Sequence, residues 1–216
     1  MGGMSQPPRS VKIGDNERGG WSSDRPRRAG EPERPPRQQD VSVRGRVLSP
    51  VFRMRYNPGS LLVVACADPA LRANFLSRVI EEQSTIFSLG KVKTLLAGKV
   101  AEDELDAKAQ TLLDAAVAKR FAAGASVVVP VEGLSPEERE HYIRLAAAHR
   151  RARHIVLVEA GKDSVAEEDR APLTELRNRL DAGELGQEGF MTSLRLGGRN
   201  VEELKKIIFA PPPADD

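Results

Sequence analysis

The chain has few of the residues that support covalent or metal-based chemistry. Its only cysteine among 216 residues, Cys66, excludes an internal disulfide and lies in an apolar run, where a buried, unreactive thiol is expected. The histidines at 141, 149 and 154 lack the spacing of a zinc site and are interpreted as surface residues. Aromatic residues make up only 4% of the chain, so a core must consist mainly of Leu, Val, Ile and Ala.

Long apolar runs are also missing. No stretch approaches the roughly 18 apolar residues of a membrane span, and the first residues contain no apolar segment of the signal-peptide kind. The sequence therefore predicts a soluble, cytoplasmic protein that does not contact a membrane.

Charge divides the chain into two regions. Residues 1–56 contain 7 of the 15 prolines and 7 of the 18 glycines and carry a net charge of +6, whereas residues 57–216 carry −4. Such a polar segment buries too little apolar surface to offset the entropy lost on ordering, so residues 1–56 are interpreted as an arm, disordered over 1–40. Residues 41–56 alternate enough to form a strand, on a partner or at the edge of the domain's own sheet. Residues 211–216 are predicted to be a disordered tail.

The arm is a candidate for contacts with nucleic acid or another polyanion, although interleaved acidic residues leave a plain linker open. Its densest basic stretch contains Arg25, Arg27, Arg28, Arg34 and Arg37. A second basic cluster lies at the carboxyl end of a predicted helix. The helix dipole favours cations at this end, so the cluster does not by itself indicate a bound anion. The cluster consists of Arg150, Arg151 and Arg153.

The remaining chain alternates apolar runs with helical patterns, which predicts a parallel three-layer α/β sheet. Strands are predicted at 60–67, 84–88, 125–132 and 153–160, with a further apolar segment at 190–196. Helices are predicted from Asp68 or Pro69 onward and at 91–98, 101–124, 135–150, about 172–182 and 200–208. In the fourth of these, Ser135 is expected to cap the helix, with Glu138 completing a capping box.

The order of these segments and their local sequences resemble those of P-loop kinases of the polynucleotide-kinase type, often described as AAA-like ATPases. The resemblance covers about residues 60–208 and rests on the stretches LLVVACADPALRA, IFSLGKVKTLLAG, AKRFAAGASVVV and PVEGLSPEEREHYIRLAAAH. It implies a P-loop kinase-like domain at 57–210, and in active members ATP and Mg²⁺ as the reacting pair.

The catalytic positions that the resemblance implies are degenerate. Ala65 and Ala70 stand where a P-loop has its two glycines, Leu71 stands at its lysine and Arg72 at its Ser/Thr. Two further positions are altered. Gly90 occupies the place of the proton-accepting aspartate of the second strand, and Pro130 begins the altered Asp-Ala-Thr-Asn stretch. The arginine-rich lid is reduced to Arg170, Arg177 and Arg179.

No metal site is predicted, although Glu132 and Glu159, each at the end of a predicted strand, could form a two-carboxylate site. The preferred interpretation is a catalytically inactive, kinase-like protein without a cofactor, acting as a binding, accessory or structural subunit with protein partners. A nucleic-acid-handling assembly is one setting considered for it, with the arm as the candidate contact for nucleic acid. Two alternatives stay open. One is an active ATP-dependent kinase of polynucleotide or small-molecule hydroxyls with an unorthodox phosphate site, and the other is a sensor that binds nucleotide without hydrolysing it.

Overall fold

A computed structural model describes residues 40–211. The strands are β1 (Arg46–Leu48), β2 (Arg53–Tyr56), β3 (Leu61–Ala65), β4 (Val127–Pro130), β5 (Arg153–Val158), β6 (Thr192–Leu196) and β7 (Lys206–Phe209). The α-helices are α1 (Pro69–Val79), α2 (Leu89–Leu96), α3 (Glu102–Ala122), α4 (Pro136–Ala148), α5 (Glu167–Asp181), α6 (Leu185–Glu188) and α7 (Arg199–Glu203).

Five strands form a central sheet in the order β1-β6-β5-β3-β4, and every pair in it is parallel. The predicted three-layer α/β class is therefore confirmed, because the sheet is covered by helices on both faces. Leu61, Val63 and Ala65 of β3 pack with α3, α4 and α5 on one face. Leu62 and Val64 pack on the other face with α1 and α7. Burial on both faces explains the continuous apolar run of β3.

A second, two-stranded parallel sheet, β2–β7, covers part of the α1 face. Its inward residues include Met54 and Tyr56, both at most 5% exposed. The Tyr56 ring lies 4.5 Å from the His154 ring of β5, centroid to centroid. This contact attaches the small sheet to the amino end of β5.

Two strands thus lie within the segment 1–56 that the sequence analysis assigned to the arm. The expectation that residues 41–56 could form an edge strand of the domain's own sheet is confirmed by β1, which pairs with β6 at the sheet edge. The predictions of disorder for 1–40 and 211–216 concern almost entirely residues outside the described range. Within residues 40–211, no helix combines the length and apolarity required to cross a membrane.

Two predicted elements are wrong. Instead of a strand at 84–88, the chain forms a 3-10 turn over Gln83–Thr85, and only Ile86 makes a single bridge, to Val128 of β4. The Thr85 hydroxyl donates to the Glu82 carbonyl at 2.7 Å, a local bond of the kind that competes with strand pairing.

The closing helix predicted at 200–208 ends at Glu203, and residues 206–209 form β7. The pattern of Ile207, Ile208 and Phe209 suits a strand once β2 is available as a partner. In addition, α5 begins at Glu167, before the predicted start near residue 172, and α6 was not predicted.

Candidate functional site

The turn after β3 is the position at which a P-loop would bind phosphate. Asp68 caps α1 there, and its Oδ1 accepts hydrogen bonds from the backbone N–H groups of Ala70 at 2.8 Å and Leu71 at 3.0 Å. A helix N-terminus favours a negative charge, and the chain itself supplies that charge. The amides that would face a phosphate therefore already have an acceptor.

Leu71 and Arg72 follow in the same helix. Leu71 is half-buried and packs against the hydrophobic clusters on both faces of the sheet, so the lysine position contributes to the core. Arg72 Nη1 donates to the backbone carbonyls of Cys66 at 3.3 Å, Glu132 at 3.5 Å and Val131. Its guanidinium ties the turn after β3 to the exit of β4, and this use removes much of its capacity to hold a phosphate.

The exit of β4 contains a second internal anion. Pro130 is buried at the end of the strand, and the Glu138 carboxylate of α4 accepts from the N–H groups of Glu132 and Gly133, both at 2.8 Å. Ser135 stands at the N-cap of α4 as predicted, but the predicted capping box is wrong, because the Ser135 side chain makes no capping hydrogen bond and Glu138 bonds to the preceding loop.

Arg139 of α4 also bonds to this loop. Its side chain is 1% exposed, Nη1 donates to the carbonyls of Leu134 and Ser135, and Nε and Nη2 donate to the Glu188 carboxylate at 3.0 and 2.9 Å. Sequence reasoning missed this residue, although Arg139 shares a helical stripe with the buried residues Tyr142, Ile143 and Ala146.

Gly90 is the second residue of α2 and offers no carboxylate. A β-carbon at this position would lie 3.2 Å from Oε1 of Glu132, so the Glu132 carboxylate lies beside the place expected for the family's aspartate. A hollow of about 190 Å³ is located nearby and is lined in part by Arg72, Ser88, Lys91 and Pro130. No local pattern indicates the Glu132–Gly90 contact, because the two residues are 42 positions apart and meet only through the sheet.

The three arginines at the predicted lid position all pair with carboxylates. Arg170 pairs with Glu167, Arg177 with Glu159, and Arg179 with Glu188. Arg195 also donates to Glu159, at 3.0 Å, and this hydrogen bond is the main reason why the pKa of Arg195 is raised.

One of the two carboxylates considered for a metal is engaged by these arginines. Glu159 is paired with Arg177 and Arg195, whereas Glu132 lies beside Gly90. Across residues 40–211, no group of three His, Cys, Asp or Glu side chains is arranged to hold a metal ion.

The predicted basic cluster at 150–153 does not present three charges on one surface. Arg150 is exposed, in the left-handed region at φ 55°. Arg151 donates to the Phe121 carbonyl, and Arg153 is 7% exposed and donates to the Gly189 carbonyl at 2.7 Å. Burial lowers the pKa of Arg153. Two of the three therefore brace the amino end of β5. The arm arginines from Arg25 to Arg37 lie outside the described residues.

His154 differs from its interpretation as a surface residue, because it is 7% exposed and its Nδ1 lies 2.8 Å from the Thr192 hydroxyl. Burial, together with the charge of Arg153, lowers its pKa from 6.5 to about 4. His141, in contrast, is at the surface and lies 2.8 Å from Asp114. Cys66 is 1% exposed, as expected, and burial raises the pKa of its thiol.

Comparisons with known proteins give distant structural likenesses. No protein-family model matches the chain, and no curated protein matches it. A candidate kinase from Chloroflexus aurantiacus is similar at 13% identity, over 65% of this chain and 86% of that one, with a TM-score of 0.38. The tunicamycin resistance protein of Deinococcus radiodurans is similar at 16% identity, over 71% and 99%, with a TM-score of 0.39.

The ATPase domain of a third solved protein is similar at 12% identity, over 68% of this chain and 61% of that one, with a TM-score of 0.25. Likenesses at these TM-scores do not establish an activity. The α/β class of this chain rests on its own strand order and helix placement.

Proposed function

We propose that this protein is a catalytically silent α/β domain of the P-loop kinase type that works by binding, as an accessory or structural subunit of a larger assembly. The observation that carries the proposal is the Asp68 carboxylate on the N–H groups of Ala70 and Leu71. A phosphate would have to displace a covalently attached anion from the site that most favours it.

Three further losses act in the same direction. Leu71 places an apolar side chain where a charge would meet the transferring phosphate, and no hydroxyl stands at position 72 to hold Mg²⁺. Removing one transition-state donor from an enzyme commonly costs about 3–4 kcal/mol of stabilisation. Pairing of the lid-position arginines with carboxylates leaves the proposed site without a compensating cation from these three residues.

The binding role is tested by affinity capture from native cells with the full chain, in buffer containing ATP and Mg²⁺ and in buffer containing EDTA. We expect the same stoichiometric protein partners in both buffers. Capture that requires ATP and Mg²⁺ would contradict a nucleotide-independent role and support a nucleotide sensor.

An active kinase is the second candidate, and one contact favours it. The Glu132 carboxylate lies beside Gly90 and could accept the proton of an attacking hydroxyl in place of the missing aspartate. The test is transfer of labelled γ-phosphate from ATP to a 5′-hydroxyl oligonucleotide by the full chain and by Glu132→Gln. We expect no transfer from either. Transfer by the wild type that Glu132→Gln abolishes would establish the kinase instead.

A further inference from the structure

Four arginines at the start of the described chain lack ionic partners within it. Arg44, Arg46, Arg53 and Arg55 are all exposed, and none forms a salt bridge with any of residues 40–211. Arg55 donates one hydrogen bond, to the Pro211 carbonyl at 2.8 Å. We call these four residues the arginine band. They contrast with the lid-position arginines, each of which has a carboxylate.

Strand register places the band on one side of the molecule. Arg46 aligns with Thr192, and Thr192 aligns with His154, so these three residues share one face of the parallel sheet. Tyr56 of β2 stacks on His154, which shows that β2 covers this same face.

The small sheet is oriented with β2 toward β1. Its other strand, β7, is the one that bridges to the end of α1, through Ile207 and Ile80. The outward residues Arg53 and Arg55 therefore lie on the β1 side, as do Arg44 and Arg46. Arg44 continues the alternation of exposed and half-buried residues that leads into β1.

The segment that carries the band, residues 41–56, contains only positive charges. Lys206 stands next to Arg53 in the register of β2 and β7 and is paired with Glu81, and Asp40 is the only acidic residue between 40 and 56. Residues two apart on a strand are separated by about 6.6 Å, so the band presents two pairs of cations, each pair at about that spacing along its own chain segment. Regular cations suit a linear polyanion with repeating charges better than a compact anion.

We infer that the arginine band binds the sugar–phosphate backbone of nucleic acid without reading its bases. The four residues are on strands or next to them, and arginine side chains spaced along a strand contact phosphate oxygens without any base-specific geometry. This inference rests on the proposed binding role and names one partner class for it. It does not involve the turn after β3.

The test measures the anisotropy of labelled oligodeoxythymidine and of a random duplex with the full chain, at several salt concentrations and without nucleotide. The band variant carries Arg44→Gln, Arg46→Gln, Arg53→Gln and Arg55→Gln. A matched control makes the same change in net charge elsewhere, at four exposed cations without salt bridges to the described residues: Lys99→Gln, Lys119→Gln, Lys162→Gln and Arg199→Gln. A third variant replaces the four band arginines by lysine.

We expect the band variant to bind single strands at least about tenfold more weakly and to lower the slope of log K against log salt by about 3, since each phosphate contact contributes about 0.7. The control should change the slope by less than about 1, and the lysine variant should keep it. If the band variant does not fold, the pair Arg53→Gln and Arg55→Gln should lower the slope by about 1.4.

Equal weakening by the control and band variants would overturn the inference, as would a wild type that binds no nucleic acid. Displacement of the oligonucleotide by polyglutamate at equal charge would assign the band to acidic proteins. Equally tight, band-dependent binding to phosphatidylcholine–phosphatidylserine vesicles would assign it to lipid surfaces. Either result would overturn the assignment to nucleic acid. Phosphoryl transfer by the wild type would refute the proposal that the protein is catalytically inactive, but it would not contradict nucleic-acid binding by the arginine band.

Discussion

The carboxyl edge of β3 and β4 and the arginine band use similar chemical groups in opposite ways. At the carboxyl edge, amides bond to the carboxylates of Asp68 and Glu138, and the guanidinium groups of Arg72 and Arg139 bond to loop carbonyls. On the band, four guanidinium groups face solvent without salt bridges to the described residues. At β3 and β4, the edge at which an α/β sheet normally binds ligands thus has its turn amides and two arginines engaged in internal bonds, whereas the band arginines on the small-sheet side have no such ionic partners among the described residues.

The difference concerns how a cation contributes. An internally bonded arginine stabilises the fold. Its removal lowers the free energy of unfolding, because its buried acceptors lose their hydrogen-bond donor. A solvent-exposed arginine contributes little to stability and retains its capacity to bind an anion. Substitutions at the two places should therefore give opposite patterns in stability and in binding.

The largest expected effect is at Arg139. Arg139→Ala should lower the free energy of unfolding by about 3 kcal/mol or more, because Glu188 would stay buried with only Arg179 as a partner and two loop carbonyls would lose their donor. Arg53→Ala is the matched change on the band and should cost less than about 0.5 kcal/mol. Urea unfolding of both variants measures the contrast, and equal losses would remove the distinction between the two regions.

The attachment of the small sheet should depend on pH through His154. The pKa of His154 is lowered from 6.5 to about 4 in the folded protein. Well above pH 6.5 the ring is therefore neutral in both the folded and the unfolded state, and its protonation does not affect the free energy of unfolding. Between these values the unfolded chain binds a proton that the folded chain does not, and stability falls as the pH falls. The loss is about 1.4 kcal/mol per pH unit, or about 2 kcal/mol between about pH 7.5 and about pH 5.

Urea unfolding at these two pH values tests this expectation with His154→Gln, which should show a smaller loss than the wild type. His149→Gln changes a histidine that is not enclosed in this way and should behave like the wild type. An unchanged loss in His154→Gln would show that protonation of other groups governs the acid sensitivity.

A smaller effect is expected at the turn after β3. Asp68→Ala removes the cap of α1 and should cost about 1 kcal/mol, whereas Asp68→Ser keeps a capping oxygen and should cost less. Thermal unfolding distinguishes the two variants. If Asp68→Ala were as stable as the wild type, the carboxylate would not be a significant partner of the Ala70 and Leu71 amides, and the contrast between the two regions would lose its main support.

Much of the fold could be predicted because its signals are local. The continuous apolar run of β3, the glycine after α3 and the acidic start of α3 each act within a few residues, and all three mark the observed boundaries well. β7 was predicted as helix because its partner, β2, is about 150 residues earlier in the chain. Pairing with a distant strand overrides the local conformational preference, and the sequence around residues 206–209 does not reveal it.

The site divides in the same way. The absence of a glycine-rich, lysine-containing turn after β3 and the start of α1 at Asp68 or Pro69 could be read from the sequence, and the capping role of Asp68 follows from its residue type. The contact between Glu132 and Gly90, the burial of His154 and the pairing of the lid-position arginines depend on distances across the fold. Charge counts indicated a basic amino-terminal region but could not show which arginines are bonded internally.

The central claim, that the turn after β3 does not hold nucleotide, is tested most directly by titrating ATP and Mg²⁺ into the full wild-type chain in a calorimeter. We predict no binding heat at physiological ATP concentration, because the Asp68 carboxylate already accepts from the Ala70 and Leu71 amides and the turn carries no lysine. Micromolar binding that disappears when Mg²⁺ is removed would contradict the claim.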